Sequence, residues 1–546
     1  QDTAIPGSWI IYRTDHDLTE TGCLNSHRHP LPSPSLSTVC PHVTDHGMPK
    51  RREPHSLRRA SMLRIAECFE YICYHGMTSK DMYNLYESGA FTEIIGPFFE
   101  LPASVTDDLF EVIKETRPVK RHVYHQLIHA HTRTLLLGHS TDEIYYGLKF
   151  TQERCKNLRH LDLSYSYLVS PAILMDLFPH LPKLQRLNLQ KTLAFDEVMK
   201  VIADHCPDLY DLDISSTAVT DHGLHHLCIG NDGNPRSSSK LCRLVLEEVH
   251  ITYNGVFFIL NTLRRTLSDL EYDAIFDVME RDRKHVLANG DPPSPEGSFY
   301  KLKTLRSTNT SIDKGLLEYS VLKCPFVNHV ILSSVNLPDE ALMLFSCLKL
   351  LTSFSLTRQQ ASPLTFENGV IPFLRSIGKQ IKDLIICNFP YCDLEAIGVL
   401  CPNIQKFAVS GIGRYENRVT RTDLFGNLIV VELWLSSENY ITELGLKQIL
   451  GNCQSITNIL VKGCETLSDD LFLEIWKSNP MSKLNHLTLD DCQNISVATI
   501  TILLAMNNEV DFIRTWGCSQ IRRKDWENVR SSSEKENMDL YFEWCF

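Results

Sequence analysis

One spacing constrains this chain more than any other property. The pattern Leu-x-x-Leu-x-Leu, with apolar substitutes, returns about every 26 residues along most of its length. It reads as Leu158, Leu161, Leu163; Leu184, Leu187, Leu189; Leu209, Leu212, Ile214; and Leu241, Leu244, Leu246, with weaker copies at Leu267, Leu270, Tyr272 and at Leu302, Leu305, Ser307. It continues as Val327, Val330, Leu332; Leu351, Phe354, Leu356; Ile381, Leu384, Ile386; and Ile404, Phe407, Val409. Val430, Leu433, Leu435; Ile456, Ile459, Val461; Leu484, Leu487, Leu489; and a decayed Val510, Ile513, Thr515 follow. From the middle position, the steps 161 to 187 to 212 are 26 and 25 residues, 407 to 433 to 459 are both 26, and 459 to 487 to 513 are 28 and 26. A unit this short leaves its apolar face bare until a neighbour stacks on it. The chain therefore grows by adding units, which overrides the three or four domains that 546 residues otherwise suggest.

The middle and last template residues alternate to the inner side of a short strand, and those between them project outward. Helices are expected after the strands, as at Pro171–Leu181 and Glu443–Leu450. Cys-Pro pairs at Cys206, Cys324 and Cys401 stand just before a strand, where Pro ends the preceding helix. Thr220 or Asp221 is placed to cap the helix that follows. Two polar insertions, Asn231–Lys240 and Glu280–Ser298, read as mobile surface loops. Residues 1–55 are rich in Pro, Ser and His and read as disordered, with Lys50, Arg51, Arg52, Arg58 and Arg59 as a basic linker or an import signal. Leu135 and Leu137 mark an atypical first strand.

The net charge of -12 weakens a nucleic-acid reading, which needs a basic footprint. The 18 cysteines are scattered, so they read as reduced core residues of a cytoplasmic or nuclear protein, not as a disulfide framework. No run of 18 apolar residues suggests a membrane span, and no charged-then-apolar segment opens the chain, although Gln1 leaves the targeting reading open.

Leu212-Asp213-Ile214-Ser215-Ser216-Thr217 and Leu487-Thr488-Leu489-Asp490-Asp491-Cys492 resemble the cysteine-containing leucine-rich repeats of F-box and related ubiquitin-ligase receptors. The resemblance covers roughly residues 130 to 520. It implies an α/β fold: a leucine-rich-repeat solenoid, a horseshoe of the ribonuclease-inhibitor kind, preceded by a small helical module. The expected division is 1–55 disordered, 56–115 a helical box or cap, 116–521 the repeats and 522–546 a tail or cap.

Ahead of the repeats, Ile65, Cys68, Phe69 and Ile72 share a helical face, and Leu101-Pro102 opens a second helix with Val105 and Leu109 as apolar positions. This order resembles the elongin-binding (VHL-type) box of cullin-RING substrate receptors, including the Zyg-eleven and Zer-one families. Cys68 and Ile72 match the last two adaptor-facing positions; the first falls on Arg64, with Leu63 adjacent. A second register uses Leu57, Ser61 and Ile65. An F-box also begins with Leu-Pro and an amphipathic helix, but residues 115–121 lack its continuation. The resemblance implies elongin B/C with a cullin, or the F-box adaptor with a cullin, as partners, and Leu63, Cys68, Ile72, Leu101, Pro102, Val105 and Leu109 as adaptor contacts. A plain solenoid cap is the remaining alternative.

No Gly-rich phosphate loop or Gly-x-Ser-x-Gly turn is present, and the carboxylates are dispersed. His122, His125, His129 and His131 lack the Glu and the compact quartet of a metal site. The expectation is a non-enzymatic chain with no cofactor, metal, nucleic acid or membrane. Its expected ligand is a protein substrate on the concave strand face, contacted by Arg186, Asp211, Asp213, Glu432, Trp434, Lys462, His486, Asp490, Arg514 and Trp516. The mixed charge of that face favours protein over nucleic acid. Trp434 and Trp516 are its natural anchors.

Overall fold

Sixteen short strands follow one another through the described residues, each paired in parallel with its sequence neighbours except across one break. They are β1 (Thr134–Leu136), β2 (His160–Asp162), β3 (Arg186–Asn188), β4 (Asp211–Asp213), β5 (Arg243–Val245), β6 (Asp269–Glu271), β7 (Thr304–Thr308) and β8 (His329–Val335). The series continues with β9 (Ser353–Arg358), β10 (Asp383–Cys387), β11 (Lys406–Ser410), β12 (Val430–Trp434), β13 (Asn458–Lys462), β14 (His486–Asp490), β15 (Phe512–Trp516) and β16 (Tyr541–Cys545). This computed structural model describes residues 57–545 apart from 75–76, 140–142, 231–232, 234–235, 237–239, 290–298, 309–311, 417–420, 422, 437–440, 507, 536–537 and 539. The expectations for residues 1–55, for Lys50–Arg52 and for the Pro-rich Asp291–Pro295 lie outside the described residues. The architecture is a leucine-rich-repeat solenoid, with one strand per repeat and mostly helical returns.

The template leucines form the core. Leu161, Leu187, Leu212, Leu244 and Leu270 pair across β2 to β6, and all are buried. One repeat has a different register from that read in the sequence. Phe407 pairs with Val431, not Leu433, and Val431 with Ile459, so the steps are 24 and 28 residues. The template there is Leu428, Val431, Leu433, all fully buried, while Leu435 is only partly so. A slip of two residues keeps every side chain on its face, so alternation alone could not expose it.

The turn after a strand often passes through the left-handed region. Tyr165, Lys191, Ser216, Glu248 and Asp491 have positive φ there. Later repeats place Gly411, Gly463 and Gly517 at this point. At Gly463 (φ 68°) a Cβ would lie 2.4 Å from the Leu435 carbonyl oxygen, so both conformation and space call for glycine.

Adjacent helices are tied by a relay at their N-termini. Thr220 caps helix Asp221–Cys228 by accepting from the His222 amide, and its own amide and hydroxyl donate to Asp196 of the preceding helix at 2.7 and 2.6 Å. Asp221 does not cap its own helix. It accepts from the Thr252 amide and hydroxyl at 2.8 and 2.6 Å, and Thr252 caps the next helix. The same link recurs between Asp339 and Thr365 and between Asp469 and Ser496.

Cys206, Cys324 and Cys401 end their helices and are buried. Burial pushes the Cys206 and Cys401 thiols up to about 12, so they act as small apolar residues.

Pairing is interrupted between β6 and β7, dividing the strands into runs of six and ten. Part of the insertion expected there as a loop is instead helical: helix Ile275–Asn289 runs through residues 280–289. The polar run suits a helix because Glu280 pairs with Arg283 and Lys284, and Asp282 turns inward to Tyr319 at 2.8 Å. At the other end the chain does not stop at the decayed copy. Helix Arg523–Lys535 leads to β16, which pairs with β15 in full register. Trp526 and Trp544 fix this last unit by donating to the Phe542 and Ile521 carbonyls, each at 2.9 Å.

The amino-terminal helices pack on one another and on the first repeat. Helices Leu57–Glu67 and Phe69–Tyr74 bury Met62, Ala66, Phe69 and Cys73, a stripe at helical spacing. Helix Ala103–Thr116 buries Leu109, Phe110, Val112 and Ile113. Glu70 accepts from Arg117 at 2.7 Å and lies 3.2 Å from His122, joining the module to helix Arg121–Leu127. Among the described residues no helix is long and apolar enough to cross a membrane.

Candidate binding face

A parallel in-register sheet stacks equivalent outward positions into columns. From β12 to β15 the last strand position gives Trp434, Lys462, Asp490 and Trp516 side by side. The Lys462 ammonium lies 5.6 Å from the Trp434 ring centroid, and the Arg514 guanidinium 4.6 Å from that of Trp516. Trp434, Lys462, Ser410, Gly411 and Ile412 line a recess of about 200 Å³. Trp516 is 45% exposed. These side chains meet only because four repeats stack.

The charged candidates differ in how free they are. Asp490 is buried and takes Arg514 at 2.6 Å, so the pair is satisfied internally and orients Trp516 instead of offering a bare charge. Glu432 is paired with Lys406 at 2.8 Å, and His486 lies 3.3 Å from Asp511. Lys462 is held only loosely, 3.8 Å from Asp491.

Arg186, Asp211 and Asp213 stand on β3 and β4 of the six-stranded run, whereas Trp434 and Trp516 stand on β12 and β15 of the ten-stranded one. Sequence reasoning grouped them with the tryptophans; the structure separates them. Arg186 is exposed, with its Nε donating to the Tyr210 hydroxyl at 2.6 Å. Asp211 pairs with Arg243, which also holds Glu271. Asp213 is a turn residue: its Oδ1 accepts from the Ser215 amide at 2.9 Å, as Asp162 and Asn188 do for Ser164 and Gln190. Asp213 is half-buried, and burial holds its carboxyl above the usual range.

The sequence reading missed an aromatic row at the first outward position. His486 lies tilted against Phe512 at 5.6 Å between centroids, and Phe512 stacks on Tyr541 at 5.8 Å. Phe512 lies two residues before Arg514, so alternation puts both outward; Tyr541 could not be placed without recognising β16.

In the amino-terminal module, Leu63, Cys68, Ile72, Leu101 and Val105 are half-buried, and Pro102 is exposed where it precedes helix Ala103–Thr116. Leu109 is 1% exposed, which corrects its assignment as an adaptor contact: it faces the module's own core. Leu57 of the second register is exposed, as are Tyr71, Ile95 and Phe99, which were not singled out from the sequence.

The histidines serve packing. His125 lies beside Arg154, with Nδ1 2.8 Å from Nη2, and edge-on to Phe91, and His129 packs against Phe99. Burial pushes the imidazoles of His125 and His129 down to about 4, with the Arg154 charge adding to it. Among the described residues no three His, Cys, Asp or Glu side chains are grouped to hold a metal.

No protein-family model and no curated protein matches the chain. Solved structures with similar folds include yeast Rad7 in complex with Elc1, at 15% identity and TM-score 0.42, covering 87% of this chain and 96% of that one. An internalin from Listeria monocytogenes shows 13% identity and TM-score 0.33, covering 74% and 94%. The TLR13–ssRNA13 complex shows 15% identity and TM-score 0.32, covering 77% and 65%.

Proposed function

We propose that this chain is a non-catalytic substrate receptor of a cullin-RING ubiquitin ligase, holding a target protein on its open strand face and an adaptor on its amino-terminal helices. The observation that carries the binding half is the column Trp434–Lys462–Asp490–Trp516, where rigid aromatic rings are held by cations on a continuous sheet. Large rings braced at a concave surface are what protein interfaces use as anchors. The adaptor half rests on the resemblance of Cys68 and Ile72 to the elongin-type box and on the exposed Tyr71 beside them.

A ligase-independent scaffold is the second reading. The burial of Leu109 favours it, because one expected adaptor contact is spent on the module's own core. Affinity capture of the full chain from cells with mass spectrometry separates the two. Recovery of elongins or the F-box adaptor with a cullin, lost in Cys68→Arg/Ile72→Glu while the solenoid stays folded, supports the receptor. Targets without any adaptor support the scaffold. Trp434→Ala and Trp516→Ala should each weaken target binding about tenfold or more. Unchanged target recovery in both variants sinks the proposed face.

A further inference from the structure

A cavity of about 350 Å³ opens where helix Ala103–Thr116 lies beside β1. Phe110, Leu127 and Leu135 give it apolar walls, and Thr134, an outward residue of β1, joins it to the open strand face. Asp107 and Glu111 line it from one helix face, four residues apart.

These two carboxylates differ from their neighbours on the same helix. Asp108 is paired with Arg58, and Glu115 with Arg59 at 2.6 Å. Among the described residues neither Asp107 nor Glu111 has a salt-bridge or hydrogen-bond partner for its side chain, although both are half-buried. Burial, then the nearby Asp108 and Glu111, pushes the Asp107 carboxyl up to about 6; burial also raises Glu111. Two acidic residues a helical turn apart on a convex surface would simply be solvated. Here they line a partly apolar recess that an arriving cation would complete.

We propose that this cavity receives an arginine side chain from the protein held on the open face. The identity of the occupant rests on the function proposed above. The apolar walls suit the methylene stem, and the guanidinium has donors on two edges, enough to reach both carboxylates at once. A lysine ammonium is a compact point charge and spans such a pair less well. A metal ion fits poorly, because among the described residues no three ligating side chains converge. The volume is near the lower end for ligand pockets, about 300 to 1,000 Å³, and suits one long side chain.

The test uses the full chain and Nα-acetyl-arginine methylamide, followed by saturation-transfer NMR. The citrulline analogue (same shape, no charge) and the lysine analogue are the controls. The arginine probe should bind about tenfold more tightly than the citrulline probe, the worth of a charge-assisted contact. The near-isosteric variant Asp107→Asn/Glu111→Gln should lose at least that factor. Its melting temperature should rise, because the substitution relieves charge repulsion; a fall shows that the carboxylates hold the fold instead and overturns the site. Equal citrulline binding, tighter lysine binding, undiminished binding to the variant, or displacement by millimolar Mg²⁺ each overturns the proposal. The probe needs no partner, so its failure rejects the pocket and leaves the protein-binding reading standing. A chain that binds the probe but captures no protein rejects the occupant and the function it rests on.

Discussion

His125 and His129 show how single side chains acquire properties that their spacing does not announce. Four apart on a short segment, they lack the partners of a metal site, and their surroundings set what they do instead. Aromatic rings and Arg154 enclose them, so both imidazoles stay neutral down to about pH 4. The unfolded chain protonates them near pH 6.5. Between those values it binds more protons than the folded state, so the stability they contribute is complete above about 6.5 and is lost as pH falls toward 4. The melting temperature should therefore drop between pH 7.5 and 5, and the drop should be smaller in His125→Gln/His129→Gln. An equal drop in that variant would rule these imidazoles out as the cause.

The helix-start relay is a property of elements. Thr220 and Asp221 were legible as capping residues, but a sequence read one helix at a time assigns both to the same helix. The structure divides them: Thr220 serves its own helix, and Asp221 serves the next through Thr252. Asp221→Ala should therefore act on helix Tyr253–Thr262 and not chiefly on its own. A lost cap costs about 1 kcal/mol, in the range 0.5–2. Hydrogen exchange should quicken at residues 252–256 of the variant more than at 221–225; the reverse order would mean that Asp221 acts locally. The two-residue slip at β12 has the same origin. Val431 and Leu433 satisfy the pattern as well as Leu433 and Leu435, and the pairing with Phe407 chose between them.

At the scale of the whole molecule, each strand touches only its neighbours, so stability is the sum of repeats and their interfaces. Helix Ala103–Thr116 covers the first of these, and Lys114 donates to the Leu136 carbonyl at 3.0 Å. Removing residues 57–115 should speed amide exchange in β1 to β3 and leave β12 to β16 unchanged. Uniform loss of protection across the chain would show that the solenoid folds as one cooperative block instead. The sequence by itself determined the architecture, because a period near 26 with alternating apolar positions admits only stacked strand units. It also determined which way Trp434 and Trp516 point, since alternation is local. Which outward residues meet, that Asp490 is consumed by an internal partner, and that Asp107 and Glu111 line a cavity were decided by the tertiary structure. Those facts depend on register between repeats and on the docking of a helix outside the repeat, and neither distance is encoded in the spacing of leucines along one strand.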